Sequence, residues 1–292
     1  MDEGRDIDRM PMDGNDIAVV IPALNEALRI REVVQGALAQ CPRVIVVDDG
    51  SDDDTVARVA DLPVTLLRHA SRMGKGASLR DGFREALRQG ARAVLTMDGD
   101  GQHSATDIPR MLAAANRHPG CVVIGARLRR RSQKPFFRRL ANEFGDWGLA
   151  WGTGYQVADS QSGQRLYPAA VAALDDVPGE DFVFESQIMI SAARRLGTRC
   201  VSIPIESRYK CVHSHEQFRA SHFRPLRDLW RITSHIVRQA VAYGGLLEVH
   251  RCIRANPPVT SARRGTGLPV IRPPLRSPQR GLRPAGWLHG RS

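Results

Sequence analysis

The chain has 292 residues, 42% of them hydrophobic, enough to bury a full core in one large α/β domain or two small ones. Its formal net charge is +11, but nine arginines and no acidic residue lie from Arg251 to the end, so the body before them carries only +2. No apolar run approaches the roughly 18 to 20 residues that span a bilayer, and five scattered cysteines (Cys41, Cys121, Cys200, Cys211, Cys252) without a C-x-x-C spacing argue against a disulfide framework or a zinc site.

The first residues, with Asp2, Glu3, Asp6, Asp8 and Asp13, lack the basic-then-apolar order of a signal peptide, so residues 1–15 are expected to be a disordered acidic start in a cytoplasmic protein. Residues 16–23 (DIAVVIPA) read as a buried strand, 26–40 as a helix and 44–48 (VIVVD) as a second strand. Asp52 to Asp54 are expected to cap a short helix through Asp61, followed by a third strand at 64–67. Residues 76–89 place Leu79, Phe83, Ala86 and Leu87 at helical spacing, 93–97 form the next strand, 106–117 a helix and 121–125 a further strand. This order predicts an α/β fold, a mostly parallel sheet with helices on both faces, whose ligands bind beyond the carboxyl ends of the strands. From residue 251, seven prolines among the arginines predict a disordered tail, read either as an electrostatic anchor for anionic lipid or nucleic acid or as an inert solvated extension.

Met97-Asp98-Gly99-Asp100-Gly101-Gln102-His103 closes the strand at 93–97. Alternate residues of a strand share a face, so Asp98 and Asp100 point the same way, and the glycines leave room for a bulky anion. Two carboxylates suit Mg²⁺ or Mn²⁺, which keep several waters and take further ligands from a phosphate. His103 is a further candidate ligand, or else a hydrogen-bonding helix-entry residue. Gly74-Lys75-Gly76 is not a phosphate loop: His69 stands where the leading glycine belongs, and Gly76 replaces the magnesium-binding hydroxyl. An EF-hand fails on Gln102 and His103.

Six motifs in unbroken order carry a family resemblance: VVIPALNE (19–26), VIVVDDGSDDDT (44–55), GKGASLRDGF (74–83), MDGDGQH (97–103), IGAR (124–127) and DSQSGQRLYP (159–168). With them the chain resembles the family 2 glycosyltransferases of GT-A fold, in the polyprenyl-phosphate, dolichol-phosphate mannose synthase-like branch. The resemblance implies one GT-A domain over 16–250, including a C-terminal amphipathic helix, with the tail at 251–292. It implies a nucleotide-sugar donor framed by Pro22, Leu24, Glu26 and Val47, with Asp49 reading the base. Asp98, Asp100 and Gln102 would hold the metal and diphosphate beside Gly99, with Asp100 central to catalysis. Arg127 would face the sugar nucleotide, and Arg208 and His222 would close over the diphosphate and the acceptor phosphate.

Such an enzyme inverts the anomeric centre in one displacement. A polyprenyl phosphate acceptor needs no general base, whereas a hydroxyl of a glycolipid, pigment lipid or glycan does. Glu180, Asp181, Glu185 and Asp159 are candidates, Glu185 foremost because it falls where relatives place acceptor-side acids. Seven basic residues between Arg127 and Arg139, followed by Phe136, Phe137, Trp147 and Trp151, predict an interfacial element. Residues 223–250 repeat the basic and apolar mixture, as membrane contact or as a helix packed on the domain. The expected partners are the donor, a lipid-linked acceptor and an anionic membrane surface on the inner face of the cytoplasmic membrane. No nucleic acid is expected, although a nucleic-acid-binding protein on an inactive transferase core is the non-enzymatic alternative.

Overall fold

The computed structural model describes residues 10–127, 136–177, 181–205 and 246–260. Their centre is an eight-stranded sheet of order β3-β2-β1-β4-β6-β5-β7-β8. β1 (Ile17–Ala23) pairs in parallel with β2 (Val44–Asp48) and with β4 (Ala93–Thr96), and β2 pairs in parallel with β3 (Thr65–Arg68). β6 (Arg165–Pro168) runs antiparallel between β4 and β5 (Val122–Ala126). β7 (Cys200–Pro204) and β8 (Val259–Thr260) extend the sheet in parallel.

The continuous apolar runs form central strands because both of their faces are covered. Val20, Ile45, Val47 and Val94 point into one core layer and Ile17, Val19, Val46 and Leu95 into the other, all of them fully buried. Each such side chain contributes about 1.5 to 3 kcal/mol relative to exposure. α2 (Lys75–Arg88), α4 (Phe136–Thr153), the short α5 (Ala169–Ala172) and α6 (Asp181–Ser191) cover the first layer. α1 (Ile30–Leu38) and α3 (Ile108–Arg117) cover the second, through Ile30, Val33, Val34 and Ala37 and through Ile108, Met111 and Ala115. α2 approaches β1 closely at Gly82, where a Cβ would stand 2.3 Å from Val20 Cγ1. Phe83 of α2 meets Tyr167 of β6 at 5.2 Å and Phe184 of α6 at 6.2 Å between ring centroids.

Two expectations need correction. Residues 52–61 form successive turns and no helix. Asp53 accepts the Thr55 N–H and hydroxyl and the Ala27 N–H, and Thr55 accepts the Glu26 N–H, so polar side chains tie this segment to the β1–α1 loop in competition with helical bonds. The ordered chain also continues past 250. α7 (Leu246–Ala255) buries Ile253 beside Ala150 and Trp151, the Asn256 carbonyl accepts the Gln156 N–H, and β8 follows. The helical spacing of Leu246, His250 and Ile253 was masked by the prolines and arginines beyond it. Among the described residues no helix is long and apolar enough to cross a membrane.

Candidate functional site

The parallel strands β1, β2 and β4 end on one edge of the sheet, and the predicted motifs leave from there. After β1 the chain turns through Asn25, at φ 57°, whose N–H is held by Ser51 Oγ and whose side chain accepts the Asp52 N–H. This ties the VVIPALNE segment to the DDGS segment. Pro22, Leu24 and Glu26 are half-buried at the rim. Gly99 lies directly against them: a Cβ there would stand 3.3 Å from the Pro22 carbonyl oxygen and 3.4 Å from Glu26 Cγ. Val47 does not join them, because its side chain is fully buried under α2.

Asp49 also departs from expectation, since its carboxylate is buried and occupied by the protein. Oδ1 accepts the Met73 N–H at 2.8 Å and meets His69 Nδ1 at 2.8 Å, while Oδ2 accepts the Gly74 N–H at 2.9 Å. The other ring nitrogen of His69 meets Asp81 Oδ2 at 3.1 Å. A ring facing carboxylates on both nitrogens donates to both only as an imidazolium. Burial opposes that charge, but the hydrogen bonds to Asp49 and Asp81 outweigh it and raise the His69 pKa above its ordinary 6.5. Asp49 thus fixes the start of α2, where Gly74 takes φ 92°.

Lys75, the next residue, joins two regions that the sequence left separate. Its Nζ is 2.7 Å from Asp98 Oδ1 and 3.2 Å from Glu185 Oε2. Burial disfavours the ammonium, yet Asp98 and Glu185 hold its pKa above the usual lysine value. Asp98 is likewise held well below the carboxylate range, Lys75 and then His103 outweighing its desolvation. His103 Nε2 lies 3.5 Å from Asp98 Oδ2. Behind the same carboxylate stands Gly163, where a Cβ would come within 2.2 Å of Oδ2, so only glycine leaves room for Asp98.

Asp100 is half-buried and accepts the Gln102 N–H at 2.9 Å. Its pKa is raised, first by burial and then by the Asp98 charge, as expected of crowded carboxylates that a cation would relieve. Among the described residues no group of three or more His, Cys, Asp and Glu side chains forms a metal cage. The crowded Asp98 and Asp100 carboxylates fit an ion that takes two protein carboxylates and completes its shell with water and substrate oxygens. The Gln102 side chain is exposed, whereas that of His103 is buried with Nδ1 lacking a hydrogen-bond partner.

Arg127, expected to face the sugar nucleotide, is paired within the protein with Asp159. Its Nε and Nη2 each reach an oxygen of Asp159 at 2.8 Å, and its N–H donates to the same carboxylate. Asp159, at φ 54°, thus has both carboxylate oxygens on Arg127. Glu185 is buried, with Oε2 on Lys75 and Oε1 without a hydrogen-bond partner. Glu180, Arg208 and His222 lie outside the described residues.

Sequence reasoning missed three functional supports. Lys75 was visible in the GKGASLRDGF motif and in the rejected phosphate loop Gly74-Lys75-Gly76, but neither gave it a role of its own. His69 stood as the residue that broke that motif. Arg165, the first residue of β6, is fully buried and donates to the carbonyls of Ser160, Ser162 and Glu185 at 2.7, 2.8 and 2.8 Å. No sequence signal separates such an arginine from a surface one.

The profile of the family described as Glycosyl transferase family 2 matches residues 18–171, more than half of the chain. The UDP-N-acetylglucosamine–dolichyl-phosphate N-acetylglucosaminyltransferase of Methanococcus voltae is 30% identical over 174 residues, covering 52% of this chain and 68% of that one. The undecaprenyl-phosphate mannosyltransferase of Micrococcus luteus is 29% identical over 202 residues, covering 65% and 82%. Among solved structures, glucosyl-3-phosphoglycerate synthase of Mycobacterium tuberculosis, in complex with Mn²⁺, UDP-glucose and phosphoglyceric acid, superposes with a TM-score of 0.53 at 20% identity, covering 82% of this chain and 80% of that one. That likeness confirms the GT-A fold.

The His69 bridge makes a pH-dependent contribution to stability. A raised pKa places that contribution below the ordinary histidine value and removes it as pH climbs through the raised one. His69→Gln is therefore expected to cost roughly 2 kcal/mol in urea unfolding at pH 6, the scale of charge-assisted hydrogen bonds, and distinctly less at pH 9. An equal cost at both pH values would show that the ring is not cationic.

Proposed function

The chain belongs to glycosyl transferase family 2, and from that premise we propose that it transfers a sugar, with inversion, from a nucleoside diphosphate donor to a polyprenyl phosphate. The observation that carries this reading is the gathering of Asp98, Asp100, Lys75 and Glu185 at the carboxyl edge of the parallel sheet, beside the Pro22, Glu26 and Gly99 rim. The lipid-phosphate substrates in the names of the Methanococcus and Micrococcus relatives support it.

Pro22, Leu24 and Glu26 would frame the nucleoside, and Gly99 would let the diphosphate approach the strand end. Asp98 and Asp100, with Gln102 as the third expected ligand, would hold Mg²⁺ or Mn²⁺. The ion supplies neutralisation of the charge that develops on the departing diphosphate. The Mn²⁺ bound to the mycobacterial synthase supports a divalent ion here. Lys75 adds a fixed positive charge beside the same carboxylate. Glu185 is engaged by Lys75, and Asp159 by Arg127, so neither stands ready to take a proton. This favours an acceptor that arrives already anionic. The alternative, a hydroxyl acceptor with Glu185 as base, rests on the unpartnered Glu185 Oε1.

Membrane contact would be peripheral, on the cytoplasmic face. Trp147 is half exposed and packs against Trp151 with ring centroids 5.6 Å apart, on α4, whose first turn includes the end of the basic run at 127–139. Tryptophan favours the headgroup level, and the arginines favour anionic lipid.

Asp100→Ala is expected to abolish metal-dependent binding of UDP- or GDP-sugars in calorimetry while the protein melts as the wild type does. Full transfer activity in this variant rejects the metal assignment. At saturating Mn²⁺ and donor, turnover on a short-chain polyprenyl phosphate should fall far more in Arg208→Ala than in Glu185→Gln, because a phosphate acceptor needs a cation and no base. The reverse order selects the hydroxyl reading. Trp147→Ser should shift the protein towards the supernatant when sedimented with anionic vesicles; unchanged sedimentation removes this helix from the membrane contact.

A further inference from the structure

Lys75 occupies the place where a second cation would sit. Its ammonium lies 2.7 Å from Asp98 Oδ1, an oxygen that the proposed metal would need. The backbone beneath it is held, because Asp49 grips the Met73 and Gly74 N–H groups immediately before it. Only the flexible four-carbon stem is free to move the charge. Glu185 offers the alternative position: Oε2 is already 3.2 Å from Nζ, and Oε1 is buried without a hydrogen-bond partner. Asp98 cannot retreat from an incoming cation, since its carboxylate is backed by Gly163.

Building on the metal reading above, we propose that Lys75 is a displaceable stand-in for the divalent ion, neutralising Asp98 in the donor-free protein and passing to Glu185 when the ion and the diphosphate bind together. Two cations on one carboxylate repel, and in a half-buried site water screens them poorly. The ion alone therefore binds weakly. The negative diphosphate offsets the crowding of the two cations, so nucleotide and ion reinforce each other, each raising the affinity of the other by the same factor. The donor is admitted as its metal complex, and free divalent ion is kept off the carboxylates.

The test is calorimetric titration of the full chain with Mn²⁺, alone and with saturating UDP or GDP. Lys75→Met should bind Mn²⁺ alone about tenfold more tightly than the wild type, and the gain conferred by nucleotide should shrink by a similar factor. Glu185→Gln should act in the opposite direction, weakening binding of Mn²⁺ alone, because the carboxylate that draws Lys75 away from Asp98 is then neutral. Lys75→Arg keeps the charge and should restore wild-type coupling. Unchanged or weaker Mn²⁺ binding by a folded Lys75→Met overturns the proposal. Should that variant not fold, as circular dichroism would reveal, tighter or unchanged binding by Glu185→Gln overturns it equally. Asp98→Ala separates the two levels: if it binds Mn²⁺ as the wild type does, the metal reading itself fails and this proposal with it, whereas loss of binding in Asp98→Ala beside an unaltered Lys75→Met refutes the stand-in role alone.

Discussion

One ammonium shared by two carboxylates joins the halves of the site. Lys75 comes from the start of α2, Asp98 from the end of β4 and Glu185 from α6, three elements that a half-buried charge ties together. Removing charges from water is costly, and the cost is recovered only while each has its partner at close range. The apolar contacts agree with this geometry: Phe83 packs on Phe184, and the Arg80 guanidinium lies 4.7 Å from the centre of the Phe184 ring, so α2 and α6 are joined by packing as well as by charge. Further polar contacts help to place these three residues.

Arg165 does so from below. It is a second buried cation, and three backbone carbonyls satisfy it, one of them belonging to Glu185 itself. The same guanidinium thus holds the loop that presents Gly163 to Asp98 and the turn of α6 that presents Glu185 to Lys75. A lysine could not do this, because a single ammonium lacks the planar fork that reaches three directions at once. On the opposite side, Asp49 and His69 anchor the loop before Lys75 through backbone N–H groups.

The parallel core was legible because strands buried on both faces read as unbroken apolar runs. The pairing of Asp98 with Asp100 was legible for a similar local reason, the two-residue period of a strand running into glycine. What escaped reading depends on partners far along the chain. Asp49 and Arg127 look like rim groups in their motifs, and nothing local discloses that His69 and Asp159 take them inward. The turns at 52–61 show the same limit, since Asp53 and Thr55 bond across to residues 26 and 27 instead of capping a helix. The tail boundary was misplaced because composition averages over a window, and a short helix with one buried isoleucine disappears among prolines and arginines. Arg208 and His222, expected on the acceptor side, fall outside the described residues.

The antiparallel strand β6 has a consequence for how the protein becomes competent. It enters the sheet between β4 and β5, and the Thr96 hydroxyl donates to the Gly163 carbonyl, 67 residues away in sequence. The first four strands pair among themselves without it, so a nascent chain can form the half that carries Pro22, Glu26 and Asp98 early. Asp98 gains its backing, and Lys75 its second carboxylate, only after the later half has looped back and docked. Contacts of such long range are the slow ones in folding. The contact between Lys75 and Glu185 is thus also a record of completed assembly, made only once α6 has docked on the earlier half.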